Sequence, residues 1–230
     1  MMNKQAVLFG ATGAVGRELL DICLSGDRYE KITVIARGKA PISHLKLNWL
    51  QVDFDALADL TPILGLSGGD AFCCLGTTIK AAGSQEAFRR VDFHYTLNAA
   101  QWSKKCAVKS FTMISAVSAN AKSNNLYNKT KGEVELAVIA EKLDVLRILR
   151  PSLLKGPRAE FRVKEEIGNV ISVLLKPVFV FGLRKYQPIE IEKLARVLYQ
   201  SVNEEFPSGS VNVYKNVELL AYESADGGAD

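Results

Sequence analysis

The stretch Ala6-Val7-Leu8-Phe9-Gly10-Ala11-Thr12-Gly13-Ala14-Val15-Gly16 restricts the fold of this chain more than any other. An apolar run breaks into three glycines spaced three apart. Val15, Leu19, Leu20, Ile22, Cys23 and Leu24 then recur as the apolar face of a helix. Gln5–Phe9 therefore reads as a buried parallel strand entering a tight turn. In such a turn Gly10 lets the backbone reverse, Gly13 admits a pyrophosphate closely, and Gly16 lets helix and strand pack together. The free amides of the helix start, over Thr12, Gly13, Ala14 and Val15, attract an anion with the help of the helix dipole. A ligand-free strand-to-helix connection is the alternative, so the rest of the chain has to supply the context.

That context is an alternation of strands and helices. Lys31–Ala36 is a second strand candidate and ends in Arg37. In a dinucleotide fold this position meets the adenosine ribose, with an acid suiting NAD and a base suiting the 2′-phosphate of NADP. Arg37, with Lys39 and Arg17 near it, favours NADP(H) over NAD(H), against the alternative of a solvated loop arginine. Asn48–Val52 is a third strand closing on Asp53, followed by a short helix through Leu57 and Leu60. Asp53 either faces a ligand at the strand's carboxyl end or caps that helix. Asp70–Leu75 is a fourth strand, and Leu75, Gly76 and Thr77 form a wall of the expected cofactor crevice. One long helix is expected over Ser84–Lys105, a fifth strand over Val108–Ile114, and a sixth over Asp144–Leu149. The pattern predicts an α/β, doubly wound parallel sheet, Rossmann-like, in a single domain, with 151–223 contributing a small substrate side and 224–230 a tail.

Composition excludes several other classes. A chain of 230 residues supports one well-buried core. At 48% hydrophobic and 23% charged residues, with net charge +4 and no dense basic stripe, nucleic acid is not implied. Cys23, Cys73, Cys74 and Cys106 lack metal-ligand spacing and read as reduced thiols. The chain enters its first strand at once, and Ile167–Leu183 is broken by Lys176-Pro177. The expectation is therefore a cytoplasmic protein with no membrane contact.

Tyr127 and Lys131 stand four residues apart, which puts both on one face of a helix. An ammonium beside a phenol lowers the phenol's pKa from about 10, so Tyr127 is a candidate general acid or base at a carbonyl oxygen. Ser115, at the end of the fifth strand, can donate a hydrogen bond to the same oxygen. Tyr-x-x-x-Lys occurs once among the seven tyrosines, downstream of a strand-end serine. A structural helix start is the alternative.

This conjunction resembles the Ser–Tyr–Lys group of short-chain dehydrogenase/reductases, and the Gly-x-x-Gly-x-x-Gly spacing resembles their extended and atypical branches. Phe9–Gly16, Cys74-Leu75-Gly76-Thr77-Thr78, Arg90-Val91-Asp92, Tyr127…Lys131-Gly132-Glu133-Val134-Glu135 and Arg150-Pro151 look like the atypical group of Tat-interacting oxidoreductase-like proteins and, more distantly, NmrA-type regulators. The resemblance implies cofactor contacts at Asp53, Lys131 and Pro151, and offers Asn98 as a counterpart of a helix asparagine, against the reading of an asparagine exposed or bonded within a helix. It also implies pairing into a homodimer through the long helices, although no interface stripe stands out. Arg158, Arg162 and Lys164 lie near the expected cleft, where a solvated helix face is the default. The activity implied is NADP(H)-dependent hydride transfer to or from a small carbonyl or alcohol. The competing readings are a non-catalytic NADP(H)-sensing regulator that binds a protein partner, and an epimerase or dehydratase holding NAD.

Overall fold

The structure is a computed structural model and describes residues 4–156 and 184–222. The expectations for Arg158, Arg162, Lys164, Ile167–Leu183 and the tail lie outside the described residues. Strands β1 (Gln5–Phe9) and β2 (Lys31–Ala36) match their sequence boundaries, while β3 runs over Leu47–Gln51 and β4 over Asp70–Cys73. Strand β5 is Ser110–Ile114 and β6 is Val145–Arg150. Two-residue strands β7 (Leu154–Lys155) and β8 (Ile189–Glu190) pair with each other, and β9 (Ser210–Lys215) completes the set.

Seven of these strands form one parallel sheet in the order β3-β2-β1-β4-β5-β6-β9. The chain works outward from β1 to β3 and returns to β4 on the other side of β1. The carboxyl ends of β1 and β4 therefore flank a crevice where the winding reverses. Helix α1 (Ala14–Ser25) lies on one face of the sheet. There Leu19, Leu20 and Cys23 pack with Ala6, Leu8, Ile32 and Phe72. Val7, Phe9, Ile35 and Met113 point to the opposite face. Strands buried on both sides explain why these runs read as continuously apolar.

The expected helix over Ser84–Lys105 is found as one helical run from Gln85 to Lys105, capped by Ser84 and widened in the middle into a π-helical turn. Short helices α2 (Ile79–Ala82) and α3 (Gln85–Arg89) precede a π-helical turn at Arg90–Tyr95, which runs into α4 (Thr96–Lys105). Such wide turns recur at functional sites, and this one carries Asp92 and Tyr95 into the interior. On that side Ala99, Ala100 and Trp102 of α4 pack with Val134 and Val138 of α5 (Leu126–Ala140). The expected helix after Asp53 is a 3-10 helix, Phe54–Asp59. The strand expected to Leu75 stops at Cys73, which frees residues 74–78 as a crevice wall.

In the C-terminal described part the departure from expectation is a further strand of the sheet, whereas the strand and helix after Pro188 fit the resemblance. β9, a seventh strand of the sheet, carries no strong sequence signal because its residues alternate half-buried and exposed at a sheet edge. The stretch after Pro188 forms β8, outside the main sheet, and then α6 (Ile191–Ser201), which packs on α1. Helix α7 (Asn216–Ala221) follows β9 and buries Leu219 in the same core.

Candidate active site

The glycine turn is shaped by backbone contacts. Gly10 has φ +84°, and a Cβ there would lie 2.6 Å from the Cys74 carbonyl oxygen. A Cβ on Gly16 would lie 2.1 Å from the Gly10 carbonyl oxygen, so only glycine lets α1 sit this close to the end of β1. The Gly13 amide donates to the Gly10 carbonyl at 3.0 Å, closing the turn. No side chain caps α1 and its first turn holds no acid. The amides and dipole of the helix start are thus left for an anion, and this cradle fits a dinucleotide pyrophosphate.

A cleft of about 480 Å³ opens beside it. Its wall is built by Gly13, Ala14 and Val15, by 74–78 after β4, by 114–118 after β5, by Tyr127, Asn128 and Lys131 of α5, and by Pro151–Leu154 after β6. The structure therefore brings together Gly13, Ala14, Val15, Leu75, Gly76, Thr77, Ser115, Tyr127, Lys131 and Pro151. Gly10, Thr12, Gly16, Arg37 and Asp53 are not part of this wall. Gly10 and Gly16 shape the turn from behind, and Thr12 is exposed on it. Arg37 is exposed beyond the end of β2, its carbonyl accepting from Gln51 Nε2 at 3.1 Å. Asp53 caps the 3-10 helix, Oδ1 accepting from the Asp55 amide at 3.0 Å.

Local sequence places the polar groups. Asn125 caps α5 by accepting from the Asn128 amide at 3.0 Å, so the helix begins just before Tyr127. Gly132 lets the 120–121 backbone lie against α5, since a Cβ there would meet the Ala121 nitrogen at 2.1 Å. The Tyr127 ring packs tilted on Phe88, centroids 5.8 Å apart. Ser115 is buried, and its hydroxyl has no hydrogen-bond partner among the described residues. A buried hydroxyl without a partner is costly unless a ligand supplies one.

Lys131, expected to serve Tyr127 and the cofactor, is also engaged by an acid. Its Nζ lies 2.7 Å from Asp92 Oδ1, with the two side chains 5% and 0% exposed. Asp92 Oδ2 accepts the Thr77 amide at 2.8 Å. Burial by itself draws the ammonium's pKa down. The charge of Asp92, then that of Tyr127, and the hydrogen bond to Asp92 outweigh it, so Lys131 is held above the ordinary lysine range. Asp92 is a cleft residue to which the sequence gave no role. Its signal was available: it falls on the buried helical stripe with Phe88, Tyr95 and Ala99, where an acid needs a partner.

Asn98, offered as a helix asparagine, instead donates to the Phe54 carbonyl at 3.1 Å and lies off the cleft wall. All four cysteines are free. Burial pushes the Cys73 thiol up to about 11 and raises that of Cys74, which lines the cleft, well above its usual value. Neither is primed as a nucleophile. Among the described residues no cluster of His, Cys, Asp or Glu is placed to hold a metal ion, and no helix is long and apolar enough to cross a membrane.

The sequence profile described as the NAD dependent epimerase/dehydratase family matches residues 6–182. Protein HTATIP2 of Rattus norvegicus is 37% identical over 173 residues, covering 74% of this chain and 70% of that protein. Protein FMP52-2, mitochondrial, of Scheffersomyces stipitis is 34% identical over 189 residues, covering 77% and 82%. The solved structure of MoeE5 in complex with UDP-glucose and NAD superimposes with a TM-score of 0.65 at 15% identity, covering 91% of this chain and 74% of MoeE5. The resemblance to the Tat-interacting group is borne out by the first of these. The cytoplasmic expectation is corrected by the second, and by further FMP52 relatives likewise named mitochondrial. An early first strand is a statement about folding and carries no address.

Proposed function

The chain belongs to the NAD-dependent epimerase/dehydratase family, and on that premise we propose that it is an NADP(H)-dependent oxidoreductase acting on a small carbonyl or alcohol. One observation carries the reading: the Ser115 hydroxyl, without a hydrogen-bond partner among the described residues, shares a single cleft with Tyr127, Lys131 and the open helix start at Gly13–Val15. The bound nicotinamide would supply or accept the hydride. Gly13, Ala14 and Val15 hold the pyrophosphate, and residues 75–77 and Pro151 line the path from it towards Ser115. Arg37, exposed at the end of β2, meets the 2′-phosphate of the adenosine ribose.

The protein's own groups then act on one oxygen. Ser115 Oγ–H donates to the substrate oxygen and polarises it. Tyr127 Oη–H gives its proton to that oxygen during reduction and takes it back during oxidation. The Lys131 ammonium stabilises the phenolate left behind. Water is excluded on the inner side by the apolar walls of Leu75, Ile114 and Val117.

Two variants test the reading. Tyr127→Phe is expected to lower turnover of a confirmed carbonyl substrate by about 10²–10⁴-fold while leaving NADPH affinity within about threefold. Arg37→Glu is expected to weaken NADPH binding about tenfold or more in calorimetry, with little effect on NADH. Full turnover by Tyr127→Phe would remove the acid role. Tight NADPH binding with no turnover across aldehydes, quinones and keto compounds would favour a non-catalytic sensor. NADH binding more tightly than NADPH to the unaltered protein would overturn the cofactor assignment.

A further inference from the structure

Asp92 lines the cleft and touches two of its walls. Oδ1 meets the Lys131 ammonium of α5 at 2.7 Å, and Oδ2 accepts the Thr77 amide of the loop after β4 at 2.8 Å. Its side chain is wholly buried, and it is delivered there by the π-helical turn. A continuous α-helix through 90–95 would change the register of this stretch by part of a turn, so the wide turn and the buried acid belong together. Gly76 lies beside the pair: a Cβ there would stand 3.5 Å from Asp92 Oδ1 and 3.6 Å from Lys131 Nζ.

We propose that Asp92 is a positioning residue: it fixes Lys131 in its charged form beside Tyr127 and ties that ammonium to the cofactor-facing loop at Thr77. A buried lysine with no counter-charge gives up its proton readily, because desolvation penalises the ammonium. A neutral amine would offer a phenolate no charge. The groups facing the ammonium are the Asp92 carboxylate from the π turn, the Tyr127 hydroxyl from its own helix and, at longer range, the Cys73 thiol at the end of β4. Among these Asp92 is the one carboxylate, 2.7 Å from Nζ, so the charge on Lys131 depends on it. The pair is neutral as a unit, which keeps a charged lysine compatible with a mainly apolar cleft.

The part this plays in turnover rests on the reductase reading, whereas the hold on Lys131 does not, and the test separates them. The side-chain resonance of Lys131, assigned by its loss in Lys131→Met, is titrated in the full chain without dinucleotide. Tyr127→Phe is the background, so the phenol takes no part. With Asp92 present the resonance is expected to show no midpoint below pH 10.5, the ordinary lysine value. Adding Asp92→Asn, which can still accept from Thr77, is expected to lower the midpoint by at least about one pH unit, a tenfold loss of proton affinity. An unchanged midpoint in the folded variant overturns the proposal. If Asp92→Asn does not fold, Asp92→Asn/Lys131→Met is expected to recover folding, since the unpaired cation is then gone. A double variant that remains unfolded overturns it equally. Failure of the reductase reading would appear separately, as tight NADPH binding by the unaltered protein with no turnover of aldehydes, quinones or keto compounds.

Discussion

Ser115 and Asp92 show how two buried polar side chains in one site carry opposite signatures. Asp92 has both oxygens engaged by the protein, so it serves the architecture of the site. The Ser115 hydroxyl has no partner among the described residues, so the fold gains nothing from it. Ser115→Ala is accordingly expected to leave the urea midpoint unchanged or slightly raised, within about 0.5 kcal/mol. Turnover should fall about 10²-fold with the loss of one donor to the reacting oxygen. A clear loss of stability with full activity would assign the hydroxyl to the fold instead. Ser115, Tyr127 and Lys131 were legible as residues because a strand end and an i, i+4 spacing are one-dimensional facts. The engagement of Lys131 by an acid 39 positions earlier was not, because it depends on how two helices are packed.

Elements differ in how directly the sequence announces them. β1 and β2 are central, buried on both faces, and read without error, whereas β9 is an edge strand whose half-exposed residues carry a weak pattern. The stretch 84–105 has helical recurrence throughout and forms a continuous helix, but periodicity does not register the π turn within it. Helix α6 matters to the site at one remove, since it braces α1 from behind. Leu194 on α6 is fully buried in the core that α1 shares. Leu194→Ala is therefore expected to destabilise the protein by about 2–5 kcal/mol in chemical denaturation. Leu45, fully exposed between β2 and β3, provides the contrast, and Leu45→Ala should stay within about 0.5 kcal/mol. Equal effects at the two positions would mean that α6 does not brace the cofactor turn.

Taken whole, the molecule buries groups that resist ionisation, and this sets its behaviour in alkali. Burial pushes the Cys23 thiol up to about 12, on the α1 side of the sheet, and the Cys73 thiol up to about 11. Burial, and then the charge of Asp70, raises the Tyr29 hydroxyl well above its usual value. The folded pKa values are above the unfolded ones, so the folded state keeps protons that the unfolded chain loses. Stability from the thiols is complete below about pH 8.5 and falls as pH rises beyond it, with Tyr29 joining above about pH 10. Urea midpoints are expected to fall steadily between pH 8.5 and 11, with a shallower slope in Cys23→Ala. An identical slope in that variant would show that the Cys23 thiol takes no part.

From the residues alone came the doubly wound class, the turn at Gly10–Gly16, and the candidates Arg37, Ser115, Tyr127 and Lys131. Each rests on local chemistry: a period along the chain, a glycine demanded by a close backbone approach, a spacing on one helix face. Packing supplied the rest. The winding reversal between β1 and β4 puts the glycine turn and the 74–78 wall on one crevice. The π turn aims a carboxylate at Lys131, and residues 210–215 find an edge to pair with. These depend on which distant surfaces exclude water together, and no periodicity along a single segment records that.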